Sequence, residues 1–178
     1  ARVGQKVSAS GVVSTYSLAY TVVNAYAGGV LNSAGDIHFI PFSATVGQKV
    51  SSAGTVSTYS LQYTTSQAYF GGVLATNGDI HFVPTNARVG QKISAAGVVS
   101  TYSLAYTTSV AYRGAVLAPN GDIHFVPYSA RVGQKISATG VVSTYSLAYT
   151  VASAFAGGIL NTDGDIILVP SAARVGQR

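Results

Sequence analysis

A repeat of constant length is the feature that most constrains this chain. The motif V-G-Q recurs every 43 residues, at Val3, Val46, Val89, Val132 and Val175. The same offset relates one set of tyrosines and one set of aspartates, Tyr16, Tyr59, Tyr102 and Tyr145 and Asp36, Asp79, Asp122 and Asp165. A period in the forties with several strands per unit is typical of a β-propeller, whereas helical repeats of this length need Leu and Ala at 3.6-residue spacing.

Each repeat contains four segments with the composition of β-strands. In the second copy, two short apolar runs flank Asn77-Gly78, a dipeptide typical of a type I′ hairpin turn. A third strand is predicted over 88–94, and a fourth in the stretch 98–107, which is rich in Val, Thr and Tyr. Four strands are the content of one blade, so we predict an all-β propeller with four blades of four antiparallel strands.

Small residues open the first strand of every unit, as in Gly71-Gly72 and Gly157-Gly158. Glycine permits a close approach of neighbouring backbones, which a narrow ring requires near its axis. A four-bladed ring is therefore the favoured prediction. The alternative is that this chain is half of an eight-bladed propeller formed by a dimer.

The ends of the sequence overlap in the repeat. We expect one domain over residues 1–178, with units at about 1–43, 44–86, 87–129 and 130–172, and with 173–178 as the start of a fifth copy. One strand is thus present twice, and the spare copy can pair with another molecule, continue into further repeats, or mark an incidental boundary. The candidate assembly-strand residues are Arg2, Val3, Gly4, Gln5, Arg174, Val175, Gly176 and Gln177.

Charge and composition exclude several partners. Ten Lys and Arg against five Asp give a net charge of +5, but the basic residues occur one or two per repeat and form no dense patch. Nucleic acid is therefore not an expected partner. The sequence also lacks an uninterrupted run of about 20 apolar residues, so membrane insertion is not expected.

An acid and an imidazole recur on one strand, as in Asp36 and His38. A metal can bridge such groups, but the fourth copy carries Ile167 in place of His. We therefore expect no metal and no cofactor, with Asp capping the hairpin and His filling a blade interface. Catalysis needs different groups around one substrate, whereas near-identical units present the same group repeatedly, so no enzyme activity is expected.

Tyrosines in the recurring motif S-T-Y-S-L have two interpretations. Tyr16 shares a strand face with Val12 and Leu18, which favours packing in the core. Tyrosine also stacks on sugars, and identical repeated pockets suit a multivalent lectin.

One run carries a family resemblance. The segment G-A-V-L-A-P-N-G-D-I-H-F-V-P, Gly114–Pro127, resembles the G-G-V-L-A-P-N-G blade signature of uncharacterised bacterial, algal and phage proteins of the propeller type. The resemblance extends over all four units and implies a propeller fold. It implies no activity, cofactor or site residue.

The sequence favours a non-catalytic structural propeller that self-assembles through its duplicated terminal strand. A filament or surface layer outside the cell, or on a cell or virion surface, is the expected setting. The second hypothesis is a multivalent carbohydrate-binding propeller, and the third is a designed or reconstructed symmetric propeller.

Overall fold

A computed structural model describes residues 3–174 and Gly176. It contains sixteen β-strands in these residues. They are β1 (Val3–Val7), β2 (Val13–Ser17), β3 (Tyr26–Leu31), β4 (Ile37–Pro41), β5 (Val46–Val50), β6 (Val56–Ser60), β7 (Tyr69–Leu74), β8 (Ile80–Pro84), β9 (Val89–Ile93), β10 (Val99–Ser103), β11 (Tyr112–Leu117), β12 (Ile123–Pro127), β13 (Val132–Ile136), β14 (Val142–Ser146), β15 (Phe155–Leu160) and β16 (Ile166–Pro170).

These strands form the blades of a β-propeller, as the sequence predicted. Three sheets have four antiparallel strands each, β3 to β6, β7 to β10 and β11 to β14. The other four strands form two separate two-stranded sheets, β1–β2 and β15–β16. By the repeat, β15–β16 corresponds to the inner half of a blade and β1–β2 to the outer half.

The blade boundary is offset from the predicted repeat unit. Each 43-residue unit holds four strands, but the first two and the last two belong to different sheets. The β1–β2 hairpin precedes β3 in the chain and lies outside its sheet. The inner strands contact one another in the order β3, β7, β11, β15. The four repeats therefore form an arc with an outer half-blade at one end and an inner half-blade at the other.

Apolar residues between neighbouring blades form the core. One cluster joins Ile40 of the first complete sheet to Tyr69 and Phe82 of the second, all fully buried. Complete burial of one such side chain contributes about 2–3 kcal/mol. The approach is close at Gly72, where an added Cβ would lie 2.7 Å from Ile40 Cδ1. Gly72 thus makes room for a side chain of the neighbouring blade, whereas the predicted approach of two backbones occurs at Gly28, where an added Cβ would lie 3.5 Å from Gly71 Cα.

The predicted type I′ turn at Asn77-Gly78 is wrong. Only Gly78 has a positive φ, of 84°, and it donates its N–H to the Ala75 carbonyl. Asn77 instead accepts the Asp79 N–H through its side-chain oxygen, at 3.0 Å. Because that Asx-type bond closes the turn, Asn77 does not need the left-handed conformation that a type I′ turn requires.

Four non-glycine residues with positive φ recur just before the inner strands, Asn24, Gln67, Val110 and Ser153. Val110 is the costly one, because a β-branched side chain is strained at its φ of 51°. Val110→Asn, which installs the residue of the first repeat, should raise the free energy of unfolding by about 1 kcal/mol. Urea denaturation measures the change. The reciprocal Asn24→Val should destabilise, and a stabilising Asn24→Val would contradict the strain argument.

Candidate functional site

The recurring Asp and Lys form ion pairs within the three complete blades. Lys49, Lys92 and Lys135 lie 2.7, 2.6 and 2.7 Å from Asp36, Asp79 and Asp122. Each carboxylate also accepts a backbone N–H from the next hairpin, from Ser52, Ala95 and Ala138. The predicted capping of its own hairpin by Asp is therefore wrong, since Asn32, Asn77 and Asn120 perform that role.

The recurring histidines pack at a steep angle against tyrosine rings of the outermost strand. In the second complete blade, His81 Nδ1 lies 3.3 Å from the Tyr102 hydroxyl, and the two ring centroids are 5.5 Å apart. Burial, followed by the charge of Lys92, lowers the pKa of His81 to about 4. His38 and His124 occupy the same position, and burial also lowers their pKa values. Each histidine thus contacts a tyrosine of its own sheet. His81 also lines a cavity with Ile123 and Ile136 of the next blade, at the kind of blade interface expected for His.

The described residues contain no group of three or more acidic, His or Cys side chains placed to hold a metal ion. Within residues 3–174, no helical segment has the length and apolarity that a bilayer crossing requires.

The V-G-Q motif has a structural explanation in its four copies on strands β1, β5, β9 and β13. Its glycine lies under the ring of the cross-strand tyrosine, so that a Cβ on Gly90 would collide with Tyr102. In the complete blades its glutamine is fully buried and accepts backbone N–H groups of the segment leading from the preceding outer strand. Gln91 Oε1, for example, lies 2.9 Å from the nitrogens of Gln62 and Tyr63. The motif thereby ties each complete blade to its predecessor.

Gln91→Met should lower the free energy of unfolding by about 2 kcal/mol. Two partly buried N–H groups lose their acceptor, at about 1–3 kcal/mol each. Removal of the Gln91 Nε2, which has no hydrogen-bond partner among the described residues, offsets part of that cost. Urea denaturation gives the difference. Gln5→Met, measured at a protein concentration where the chain is single, is the matched control, because Gln5 occupies the same motif position but is exposed in the single chain. An equal loss there would contradict the account.

The predicted assembly-strand residues lie at the two ends of the arc. Val3, Gly4 and Gln5 are in β1, which pairs with β2, and Arg174 and Gly176 are exposed. Arg2, Val175 and Gln177 lie outside the described residues. Among residues 3–174, β1 does not pair with β16, so these strands do not close a fourth blade within the chain.

The β15–β16 end exposes apolar residues that the internal blades bury. Val126 is 1% exposed and Val116 is 8% exposed, because both pack against the following blade at Gly158. Their equivalents one repeat later, Val169 and Ile159, are 40% and 64% exposed. This end is therefore an unpartnered blade face.

A groove beside β16 lies where the complete blades have their outer half. Its volume is about 540 Å³, and His124, Tyr145 and Ile166 are among its lining residues. The equivalent cavity one blade earlier is only about 180 Å³, because Ile136 and residues 137–140 of the outer hairpin line it as well. The fourth repeat lacks that covering among the described residues.

The β1–β2 end has a second groove, on the side where the other blades are covered by the inner strands of a preceding blade. A groove of about 400 Å³ lies between the hairpin and the first complete blade, lined in part by Tyr16, Leu18, Tyr26 and Phe39. Ile37 in this blade is 41% exposed, whereas its equivalent Ile80 is 1% exposed. The inner half-blade that covers Ile80 in the next interface has no counterpart here among the described residues.

Sequence reasoning identified the strand at the ends but missed these two grooves and the exposed faces. The signal was available in part: β1–β2 carries the V-G-Q and S-T-Y-S motifs of an outer half-blade with no G-G-V-L motif before it. Exposure of Val169 and Ile159 depends on the curvature of the arc, which the repeat length does not specify.

Neither a protein-family model nor a curated protein matches the sequence. Solved structures match by shape. An inactive H270A virginiamycin B lyase from Staphylococcus aureus aligns with a TM-score of 0.81 at 18% identity, over 95% of this chain and 56% of that chain. A streptogramin B lyase aligns with a TM-score of 0.78 at 24% identity, over 95% and 55%. An auxiliary nutrient binding protein from Bacteroides ovatus gives 0.59 at 14% identity, over 83% and 36%.

These likenesses establish the fold and leave the function open. This chain spans about half the length of the two lyases. Its blades therefore superpose on part of each of those chains. The resemblance to the G-G-V-L-A-P-N-G signature stays a prediction.

Proposed function

We propose that this chain is a non-catalytic structural propeller that self-assembles through its terminal strands, in a filament or surface layer outside the cell. The observation that carries the proposal is the contrast between Val126, 1% exposed inside the arc, and Val169, 40% exposed at its end. The blade face that carries this position is buried in the three complete blades, so the exposed copy of the face in the fourth repeat is suited to contact another molecule.

Two further features support self-assembly. The outer edge of β16, which pairs with no strand among the described residues, offers backbone N–H and C=O groups to another strand, and edge strands readily add a partner in this way. Charged residues make up only 8% of the chain, so few charged side chains interrupt its exposed apolar faces. The extracellular setting and the extended form are part of the proposal.

We also propose that the protein is not an enzyme, and the contacts of its polar groups support this. In each complete blade the Asp is paired with Lys, and the His ring packs at a steep angle against a Tyr ring. These groups are engaged with one another in blade packing, which supports a structural role for them.

The test is association without ligand. Size-exclusion light scattering over a concentration series should give a mass above 18.1 kDa for the intact chain, with ordered rows in negative-stain electron microscopy if the form is extended. Val169→Asp should stay folded and fall to the single-chain mass. Val23→Asp is the matched control, because Val23 is 84% exposed and its equivalent Ser66 is also exposed. A single-chain mass for the intact protein at every concentration would overturn the proposal.

The second candidate is a carbohydrate-binding propeller. One aromatic cluster favours it: Phe70 is exposed, and the Arg113 guanidinium lies 5.5 Å from its ring and 3.9 Å from that of Tyr128. Exposed aromatic rings stack on sugars. The first and fourth repeats carry Ala27 and Ala156 in place of Phe70, so this cluster is not repeated as a multivalent lectin requires. Glycan-dependent binding lost in Phe70→Ala, with a constant single-chain mass, would favour this candidate.

A further inference from the structure

We propose that the β1–β2 hairpin of a second copy of this chain completes the fourth blade beside β16, and that the exchange is reciprocal. Two chains then close one ring of eight blades. The inference rests on the proposed self-assembly and specifies its partner, its contact and its symmetry.

The register follows from the complete blades. In the third of them, β12 pairs with β13 through Ile123 with Ile136, His124 with Lys135 and Phe125 with Gln134. The 43-residue offset places Ile166 opposite Val7, Ile167 opposite Lys6 and Leu168 opposite Gln5 of the second copy. The β1–β2 pair already has the internal geometry of β13–β14, from Val3 opposite Ser17 to Val7 opposite Val13.

The hairpin has the side chains that the groove beside β16 lacks. Val7 would take the place of Ile136, and residues 8–11 that of residues 137–140, which line the smaller cavity one blade earlier. Gln5, exposed in the single chain, would accept the N–H groups of Ala148 and Tyr149, as Gln91 accepts those of Gln62 and Tyr63.

The exposed face of β15–β16 fits the groove at the other end. Within the arc, Val30 and Ile40 of one blade pack with Tyr69 and Phe82 of the next. In the ring, Ile159 and Val169 would take the positions of Val30 and Ile40 and meet Tyr26 and Phe39 of the second copy.

A backbone link between blades is also completed. The N–H groups of Ala68, Ala111 and Ala154 each donate to a carbonyl of the preceding blade, at 2.8 to 3.0 Å. Ala25, the equivalent residue of the first complete blade, donates to Val22 in its own turn, at 3.3 Å. In the ring, the Ala25 N–H would meet the carbonyl of Ser171 from the other copy.

The partner is a second copy because the two half-blades lie at opposite ends of the arc. The β1–β2 end is held to the first complete blade by bonds from Ala19 and Tyr20 to Gln48, and β15–β16 packs on the third. A head-to-tail contact generates a ring when its rotation closes and a filament when it does not. The arc follows the curvature of a larger propeller, which favours closure, so a filament would require a second contact between rings.

Cysteine cross-linking tests the contact, because the chain has no native cysteine. Lys6→Cys combined with Ile167→Cys should oxidise to a covalent dimer with two disulfides and no larger species on a denaturing gel. His124→Cys with Lys135→Cys is the matched control in the same register, and it should oxidise within one chain. The directly opposite positions of antiparallel strands are close enough for such a bridge.

Other outcomes separate this inference from the proposed function. A ladder of oligomers would overturn the ring and leave self-assembly standing, whereas a disulfide between the two introduced cysteines of a single chain would overturn both. Removal of residues 173–178 should leave the dimer intact, because β1–β2 forms the contact. If that truncation alone abolishes the dimer, the C-terminal copy is the assembly strand and the hairpin exchange is wrong.

Discussion

Gly90→Ala should lower the free energy of unfolding by about 3–4 kcal/mol, which is large for the addition of one methyl group. The ring of Tyr102 occupies the space that the new Cβ would need, and Tyr102 is held by His81 and by the core between blades. The ring therefore cannot move aside without breaking other contacts. Urea denaturation followed by circular dichroism measures the loss.

Gly157→Ala is the matched control for this substitution. Gly157 also lies within a strand, but a Cβ there meets no atom within 4 Å, and its φ is not positive. It should change stability by less than about 1 kcal/mol. In a double-mutant cycle, Tyr102→Leu should cost less in the Gly90→Ala background than alone. If the two substitutions lower the free energy of unfolding additively, the proposed collision between a Cβ at position 90 and the Tyr102 ring is contradicted.

Acidification from pH 7 to pH 4 should destabilise the protein through its buried histidines. The pKa of His81 falls from 6.5 when unfolded to about 4 when folded, so between these values the unfolded state binds more protons. The contribution of neutral, buried His81 to the free energy of unfolding is therefore fully present above pH 6.5, and it is lost progressively as the pH falls to 4. His81 alone accounts for at most about 3 kcal/mol.

The measurement is the free energy of unfolding at several pH values and a fixed protein concentration, since association also changes apparent stability. His81→Ile, which installs the residue that the fourth repeat carries at Ile167, should flatten the dependence in this range. In this variant His38 and His124 still make stability fall as the pH falls, but with a smaller slope. Stability that is constant or rises as the pH falls from 6.5 to 4 would contradict the burial argument.

Much of the fold was predictable because the repeat presents the same information four times. Strand content, blade type and the packing of the recurring His and Tyr follow from local pattern. The Gly90–Tyr102 pair was also accessible in principle, since V-G-Q and S-T-Y keep a constant spacing. The closing bond of the hairpin was missed because Asn77 has two ways to make a turn, and composition does not choose between them.

The candidate site was less predictable because it depends on curvature. Whether Val169 meets Gly29 of its own chain is decided by the angle between blades, and contacts such as Ile40 with the Gly72 position set that angle. Such distances are not encoded in a motif. The same sequence period is compatible with a closed ring of four blades and with half of a larger one.

Hydrogen–deuterium exchange of the unmodified chain at low and high protein concentration tests the central claim most directly. The account predicts that amides of Val3–Val7 and of residues 166–169 become protected at high concentration, to the level of the paired strands β12 and β13. Internal strands should show no change. Exchange in both terminal segments that is equally fast at all concentrations would contradict pairing of the two half-blades between copies.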